Sequence, residues 1–204
     1  MDTQQHTKAR VTRPFREGGI PVLETERLIL RAPRLDDAKA VARLANDRRI
    51  AENTARIPHP YRLADAEDFI TAVNTGNNEV AYVIIFAGDV VGCCGLAEIG
   101  GPALDLSYWI GAPFRGNGYA TEAARRLIDH AFTDLGHEAV QAGVRVTNPV
   151  SRRVLEKCGF QWTRVGLMRI RALASSVPID CFCLDRRTWA SIKDWGRVKR
   201  VASM

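Results

Sequence analysis

The chain has 204 residues, 46% of them hydrophobic and 25% charged, enough apolar material for the core of one ordinary domain. No apolar run approaches the roughly 20 residues that span a bilayer, and the first twenty residues hold no apolar stretch of the secretory kind, so the chain reads as soluble and cytoplasmic, with no membrane partner. The net charge of +6 suggests nucleic acid until it is located: residues 1–20 carry four basic and two acidic side chains, residues 193–204 four and one, and the body between is nearly neutral.

Met1 to Gly19 shows no hydrophobic period and reads as a flexible basic arm, 1–19. In Thr25 to Arg31, Leu28 and Leu30 alternate with polar neighbours, the period of a strand with one buried face. Asp36 and Asp37 open a helix whose apolar positions Ala38, Val41, Ala42, Leu44 and Ala45 carry it to about Asn46. A broken helical stretch around Arg49 to Ala55 leads to Ile57-Pro58-His59-Pro60-Tyr61, which two prolines hold as an extended loop. Ala64 to Val73 returns to helical spacing. Val80 to Phe86 and Val90 to Ile99, joined by Gly88-Asp89, read as a hairpin, and Leu104 to Ile110 adds a third antiparallel strand. Tyr119 to Leu135 is an amphipathic helix closed by Gly136. Val140 to Val146 is a strand, Pro149 to Lys157 a short helix, and Phe160 to Met168 and Cys181 to Leu184 further strands. The domain thus spans 20–190, with a basic C-terminal tail at 191–204. The cysteines, Cys93, Cys94, Cys158, Cys181 and Cys183, and the four scattered histidines lack the spacing of metal ligands, so reduced structural thiols and no metal are expected.

Chemistry concentrates where the third strand meets the amphipathic helix. A helix N-terminus offers unpaired backbone N–H groups and the positive end of its dipole, and glycines let phosphate oxygens approach the main chain. Arg115-Gly116-Asn117-Gly118-Tyr119-Ala120 fits [RQ]-x-x-G-x-[GA] and matches neither the Walker loop nor the dinucleotide fingerprint. Tyr108-Trp109-Ile110 precedes it, Thr121-Glu122-Ala123 continues it, and Asn148-Pro149-Val150-Ser151 and Glu156-Lys157-Cys158-Gly159-Phe160 follow a strand later.

On these residues, together with Thr25-Glu26-Arg27-Leu28-Ile29-Leu30-Arg31, the chain resembles the GNAT superfamily of N-acetyltransferases over about residues 23–190, and within it the branch of ribosomal-protein N-terminal, Rim-type, acetyltransferases. The resemblance implies an α+β fold: a mixed, mostly antiparallel sheet of about seven strands, flanked by helices and splayed at an acetyl-CoA cleft. It implies acetyl-CoA as cosubstrate, its diphosphate on the backbone of Arg115, Gly116, Asn117, Gly118, Tyr119 and Ala120, and its pantetheine arm paired as an added strand with backbone groups of Trp109 and Ile110. Arg115 reads either as a phosphate contact or as a capping arginine.

Acetyl transfer to an amine needs a group that removes the ammonium proton, a donor for the oxyanion and a proton for the departing thiolate. Asp105 and Glu98 are the candidate bases, and strand alternation leaves open which faces the cleft; an ordered water is the other choice. The oxyanion donor falls on backbone N–H near Trp109 or Ile110. The resemblance implies cofactor-side roles for Asn148 and Ser151, with Ser151 as candidate acid; the alternative is that one of them caps the helix. Some Rim-type enzymes are thought to use a glutamate in the strand after the Gly-Phe pair, but Gly159 to Ile179 contains no Asp or Glu. The acceptor is an amine, of a protein N-terminus or of a small molecule such as an antibiotic or polyamine, in a cleft roofed by Arg49 to Tyr61 and Arg169 to Asp180, with His59 and Tyr61 as candidate lining. A non-catalytic acyl-CoA sensor and a ribosome- or RNA-associated protein are the rival readings, the latter resting only on the basic ends. A monomer or a homodimer fits equally.

Overall fold

The computed structural model describes residues 19–76, 78–98 and 100–201; the proposed basic arm and Ile99 lie outside the described residues. Eight strands form one sheet in the order β1-β2-β3-β4-β5-β6-β8-β7: β1 (Leu23–Glu24), β2 (Ile29–Arg31), β3 (Glu79–Phe86), β4 (Asp89–Glu98), β5 (Ala103–Ile110), β6 (Ala139–Arg145), β7 (Gln161–Ile170) and β8 (Ser175–Asp185). Every neighbouring pair is antiparallel except β5 with β6. The single expected strand at Thr25 to Arg31 divides into β1 and β2, because Thr25 closes a tight turn by bonding Leu28 through both main chain and hydroxyl.

Helices α1 (Ala38–Ala45), α2 (Arg48–Ala51) and α3 (Leu63–Thr75) precede the hairpin. Val41, Leu44, Ala66 and Ile70 are buried with Val83, Ile85 and Cys93 of one sheet face. The opposite face packs against α4 (Tyr119–Thr133), whose expected stripe of Ala123, Ala124, Leu127, Ile128, Ala131 and Phe132 is at most 2% exposed and meets Tyr82, Leu96, Leu104 and Val140. Burying each large side chain of that stripe stabilises the fold by ~1.5–3 kcal/mol, which fixes the helix N-terminus relative to the end of β5.

Helix α5 (Pro149–Lys157) starts on the Asn148 N-cap with Pro149 at its first position, a helix-start pairing with fixed geometry. It stops at Gly159, φ +91°, where a Cβ would strike Ile192. Ile192 belongs to α6 (Arg186–Val201), so the segment read as a tail from residue 191 continues, through Val201, a helix that begins at Arg186. Trp189 of α6 lies 5.1 Å from the ring of Phe132 and donates its indole N–H to Asp129 at 2.9 Å; that aromatic anchor holds the helix to α4. Cys93, Cys94 and Cys158 are buried free thiols. No helix among the described residues is long and apolar enough to cross a membrane.

Candidate active site

Parallel strands β5 and β6 pair at only three positions, Ala103 with Ala139, Leu104 with Val140 and Asp105 with Gln141, although they run on to Ile110 and Arg145. Beyond Asp105 the sheet splays and leaves one edge of β5 open. Direction along that edge follows from the ladder: Gly111 donates its N–H to Val91 of β4 at 2.9 Å, so by the two-residue alternation Trp109, opposite Cys93, also turns its amide and carbonyl to β4. The open edge is therefore offered by Tyr108 and by the Ile110 N–H, whereas the main chain of Trp109, expected to pair there, faces β4.

The glycine loop sits at the mouth of this splay. Gly116 and Gly118 have φ of +84° and +82°, a region that costs other residues a clash. A Cβ on Gly116 would meet nothing within 4 Å, and one on Gly118 only Arg27 Nη2, so the loop is uncrowded at both glycines, and Gly118 is the N-cap of α4 with no side chain capping the helix. Asn117 turns back to the carbonyl of Phe114 at 3.1 Å. Tyr119 is buried, 4.9 Å from the ring of Phe86. Arg115 donates to the carbonyl of Ile110 at 3.1 Å and to Asp47, the N-cap of α2, at 2.8 Å. Through these two bonds the side chain ties the loop to β5 and α2.

The two candidate bases lie on opposite faces of the sheet. Glu98 stands opposite Leu104, a residue buried against α4, and Glu98 is exposed near His137 beyond the end of that helix. Asp105 shares a cross-strand row with Ala97 and Glu79 on the other face, at the last residue before the splay. No hydrogen bond to its carboxyl occurs among the described residues. Burial pushes it up to about 6, Arg56 pulls it down and Glu79 raises it further; Arg56 is itself held by Glu79 in a two-pronged pair at 2.6 and 2.5 Å. The nearest acid after the Gly-Phe pair, Asp180, is 9% exposed on the α5 face, where Trp162 Nε1 donates to it at 2.9 Å and Arg152 lies at 3.4 Å.

Across the splay, Asn148 accepts from the Ser151 N–H at 3.2 Å, the capping bond. Ser151 Oγ lies 2.9 Å from the Tyr108 hydroxyl, which spans from β5 to α5 and can also donate to the Ser151 carbonyl at 3.2 Å. Burial raises the Tyr108 phenol far above its ordinary value, partly opposed by the bond to Ser151. Tyr108 therefore stays protonated at neutral pH.

The model of the Acetyltransferase (GNAT) domain matches residues 27–161, a span that contains the glycine loop, the splay and Ser151. The chain belongs to the GNAT acetyltransferase family. The N-acetyltransferase p20 of Bacillus licheniformis is 30% identical over 178 residues, 82% of this chain and 98% of that protein. The fold is shared with RimL, the ribosomal L7/L12 alpha-N-protein acetyltransferase, in complex with coenzyme A (TM-score 0.72, 14% identity, 81% of this chain and 98% of that one). It is shared too with the microcin C7 self-immunity acetyltransferase MccE, in complex with acetyl-CoA and AMP (TM-score 0.70, 21% identity, 79% and 93%). The protein is thus an N-acetyltransferase with acetyl-CoA as cosubstrate.

Two hydrogen bonds tie the region around α2 to the late strands. Arg171 donates its N–H to the Ala55 carbonyl at 2.9 Å, joining the loop after α2 to the β7–β8 connection. Arg145 of β6 reaches the Glu52 carbonyl at 2.9 Å. These contacts place the expected roof segments together. Tyr61, however, is not cleft lining: it is 8% exposed within the α1–α3 core, and its hydroxyl donates to the Asp65 carbonyl. His59 is exposed. Sequence reasoning passed over Tyr108, Glu79 and Arg56 as participants. The alternation of β5 could have shown Tyr108 on the α5 face with Leu104 and Leu106, whereas the pairing of Arg56 with Glu79 has no local signature.

Proposed function

We propose that this GNAT enzyme acetylates the α-amino group of a protein or peptide N-terminus, with Asp105 as the base. Acetyl-CoA fits the loop amides from Gly116 to Ala120 and the open edge of β5: two glycines leave the cradle unfilled by side chains, and the splay has room for one added strand. Asp105 takes the proton of the acceptor ammonium, and the freed nitrogen lone pair forms the amide bond to the acetyl carbon as the carbon–sulfur bond breaks. Open-edge N–H groups of Tyr108 and Ile110 face the developing oxyanion. Ser151 passes a proton to the thiolate and recovers one from the second proton that the acylated nitrogen sheds, relayed by solvent. Tyr108, protonated at neutral pH, is placed to donate to Ser151 Oγ at 2.9 Å and so to orient that hydroxyl.

The observation that carries the assignment of the base is the placing of Asp105, partly buried at the last paired residue before the splay, with no hydrogen bond to its carboxyl among the described residues. Whatever the base, an α-ammonium of pKa about 7.9 gives up its proton more readily than a lysine or polyamine ammonium near 10.4, and the difference of about 2.5 units is a handicap of ~3.4 kcal/mol for the more basic amines at neutral pH. RimL, named for α-N-acetylation of ribosomal L7/L12, supports the same reading.

Release of CoA thiol should be followed with a peptide bearing a free N-terminus, an N-blocked peptide bearing lysine, and a polyamine. The free N-terminus should be acetylated fastest, Asp105→Asn should remove that activity, and Glu98→Gln should leave it intact. Preference for the polyamine, or loss of activity in Glu98→Gln alone, contradicts the proposal.

A further inference from the structure

One carboxylate in the first turn of α4 works against an anion site. Glu122 donates its N–H to the Gly118 carbonyl at 3.1 Å, which places it one helical turn from the glycine cradle. A negative charge there competes with a phosphate for the positive end of the helix. In this chain the carboxylate is fully engaged from a distant part of the sequence. Its Oε1 accepts from Thr25 Oγ1 at 2.6 Å and from the Arg27 N–H at 3.0 Å, and its Oε2 accepts from Arg27 Nε at 2.8 Å and Nη2 at 2.6 Å.

The same Arg27 lies over the ring of Tyr119 at 5.0 Å, with Nη2 3.5 Å from where a Cβ on Gly118 would be. Arg27 and Glu122 also line, with Arg125, Arg126 and Lys157, a cavity of about 530 Å³ that adjoins Gly118. Since Leu28 and Leu30 on the same segment are buried in the α4 core, the turn that carries Thr25 and Arg27 cannot drift from the helix.

We propose that Thr25, Arg27 and Glu122 form a clasp that presents the first turn of α4 to the cofactor diphosphate, with Arg27 as a positioning residue that cancels the charge of Glu122 beside the cradle. The proposal rests on the reading that the diphosphate sits on Arg115 to Ala120. As a half-exposed ion pair (side chains 43% and 18% exposed), the clasp contributes little to global stability. Its effect is local, on the electrostatic field at the amides. The short Thr25-Glu26-Arg27 segment thereby acquires a function that its strand neighbours do not share.

The test is a charge-neutralising cycle on the full chain, with acetyl-CoA affinity read by calorimetry and the two Michaelis constants read separately. Arg27→Gln keeps a donor for Glu122 but removes the cation, and should weaken acetyl-CoA binding about tenfold while leaving the acceptor KM and the melting temperature near wild type. Arg27→Gln/Glu122→Gln, a neutral pair, should return affinity to within about threefold of wild type, and Arg27→Lys should keep most of it. Wild-type affinity in Arg27→Gln, or a double variant as weak as the single one, overturns the clasp. Failure of the underlying reading looks different: wild type would not bind acetyl-CoA, or Gly118→Trp would bind it unchanged.

Discussion

On the side of the splay proposed for the cofactor, the groups offered to a ligand are main-chain amides, from Gly116 to Ala120 and along the open edge of β5. On the side proposed for the acceptor they are side chains, Asp105 with Arg56 and Glu79 beside it, brought together from β5, the loop after α2 and β3. A backbone site tolerates most substitutions that keep its φ values, but it is blocked by bulk. A side-chain site can be emptied by one isosteric change. The two halves of the reaction should therefore fail in different ways.

The largest separation is expected from Asp105→Asn, which should lower kcat/KM for the acceptor by ~10²–10⁴-fold, the range of a lost general base, while the acetyl-CoA dissociation constant stays within about twofold. Equal losses on both sides would break the comparison. Gly118→Trp should do the reverse: a bulky residue at φ +82° over the open amides should weaken acetyl-CoA binding by at least about 100-fold, measured by calorimetry.

Ser151→Ala should lower kcat by about tenfold with little change in either KM, and Tyr108→Phe by less, because it removes only the bond that orients the serine. A Tyr108→Phe loss larger than that of Ser151→Ala would reassign the acid.

The smallest effect is on stability. The folded value of Asp105, about 6, lies above the free carboxyl value of 3.8, so the protonated form is the one the fold favours. That favourable contribution is complete below pH 3.8 and lost as pH rises through 6. Asp105→Asn should accordingly raise the melting temperature by a few degrees at pH 7.5 and leave it unchanged near pH 4, as read by thermal unfolding. A base poised for proton transfer and a locally destabilising carboxylate are one feature seen twice.

The glycine loop and the helices around it were legible in the sequence because their determinants are local. Two glycines at fixed spacing, an apolar stripe from Ala123 to Phe132 and Asn148-Pro149 at a helix start each act within a few residues, and each element appeared close to its expected bounds. Arg115 shows the limit of that legibility. Its partners Ile110 and Asp47 are decided by tertiary approach, and nothing in the loop motif distinguishes a phosphate ligand from a tie across the cleft. Asp105 and Glu98 were equivalent as strand-end carboxylates until register put one opposite Ala97 and the other opposite Leu104. Tyr61 looked like cleft lining because of its prolines, yet its ring completes the core between α1 and α3. The helical part of the C-terminal segment was hidden by its charge, since its apolar anchors Trp189 and Ile192 are few and meet α4 and Gly159 far back in the chain.

The most direct measurement is the pH dependence of CoA-thiol release with a free-N-terminus peptide, wild type beside Asp105→Asn. Wild-type kcat/KM should rise along a limb with its midpoint near pH 6, and that limb should be absent from the residual activity of the variant. An Asp105→Asn enzyme that keeps the full rate and the same limb would contradict the assignment of the base, and with it the account of how the two sides of the splay divide the reaction.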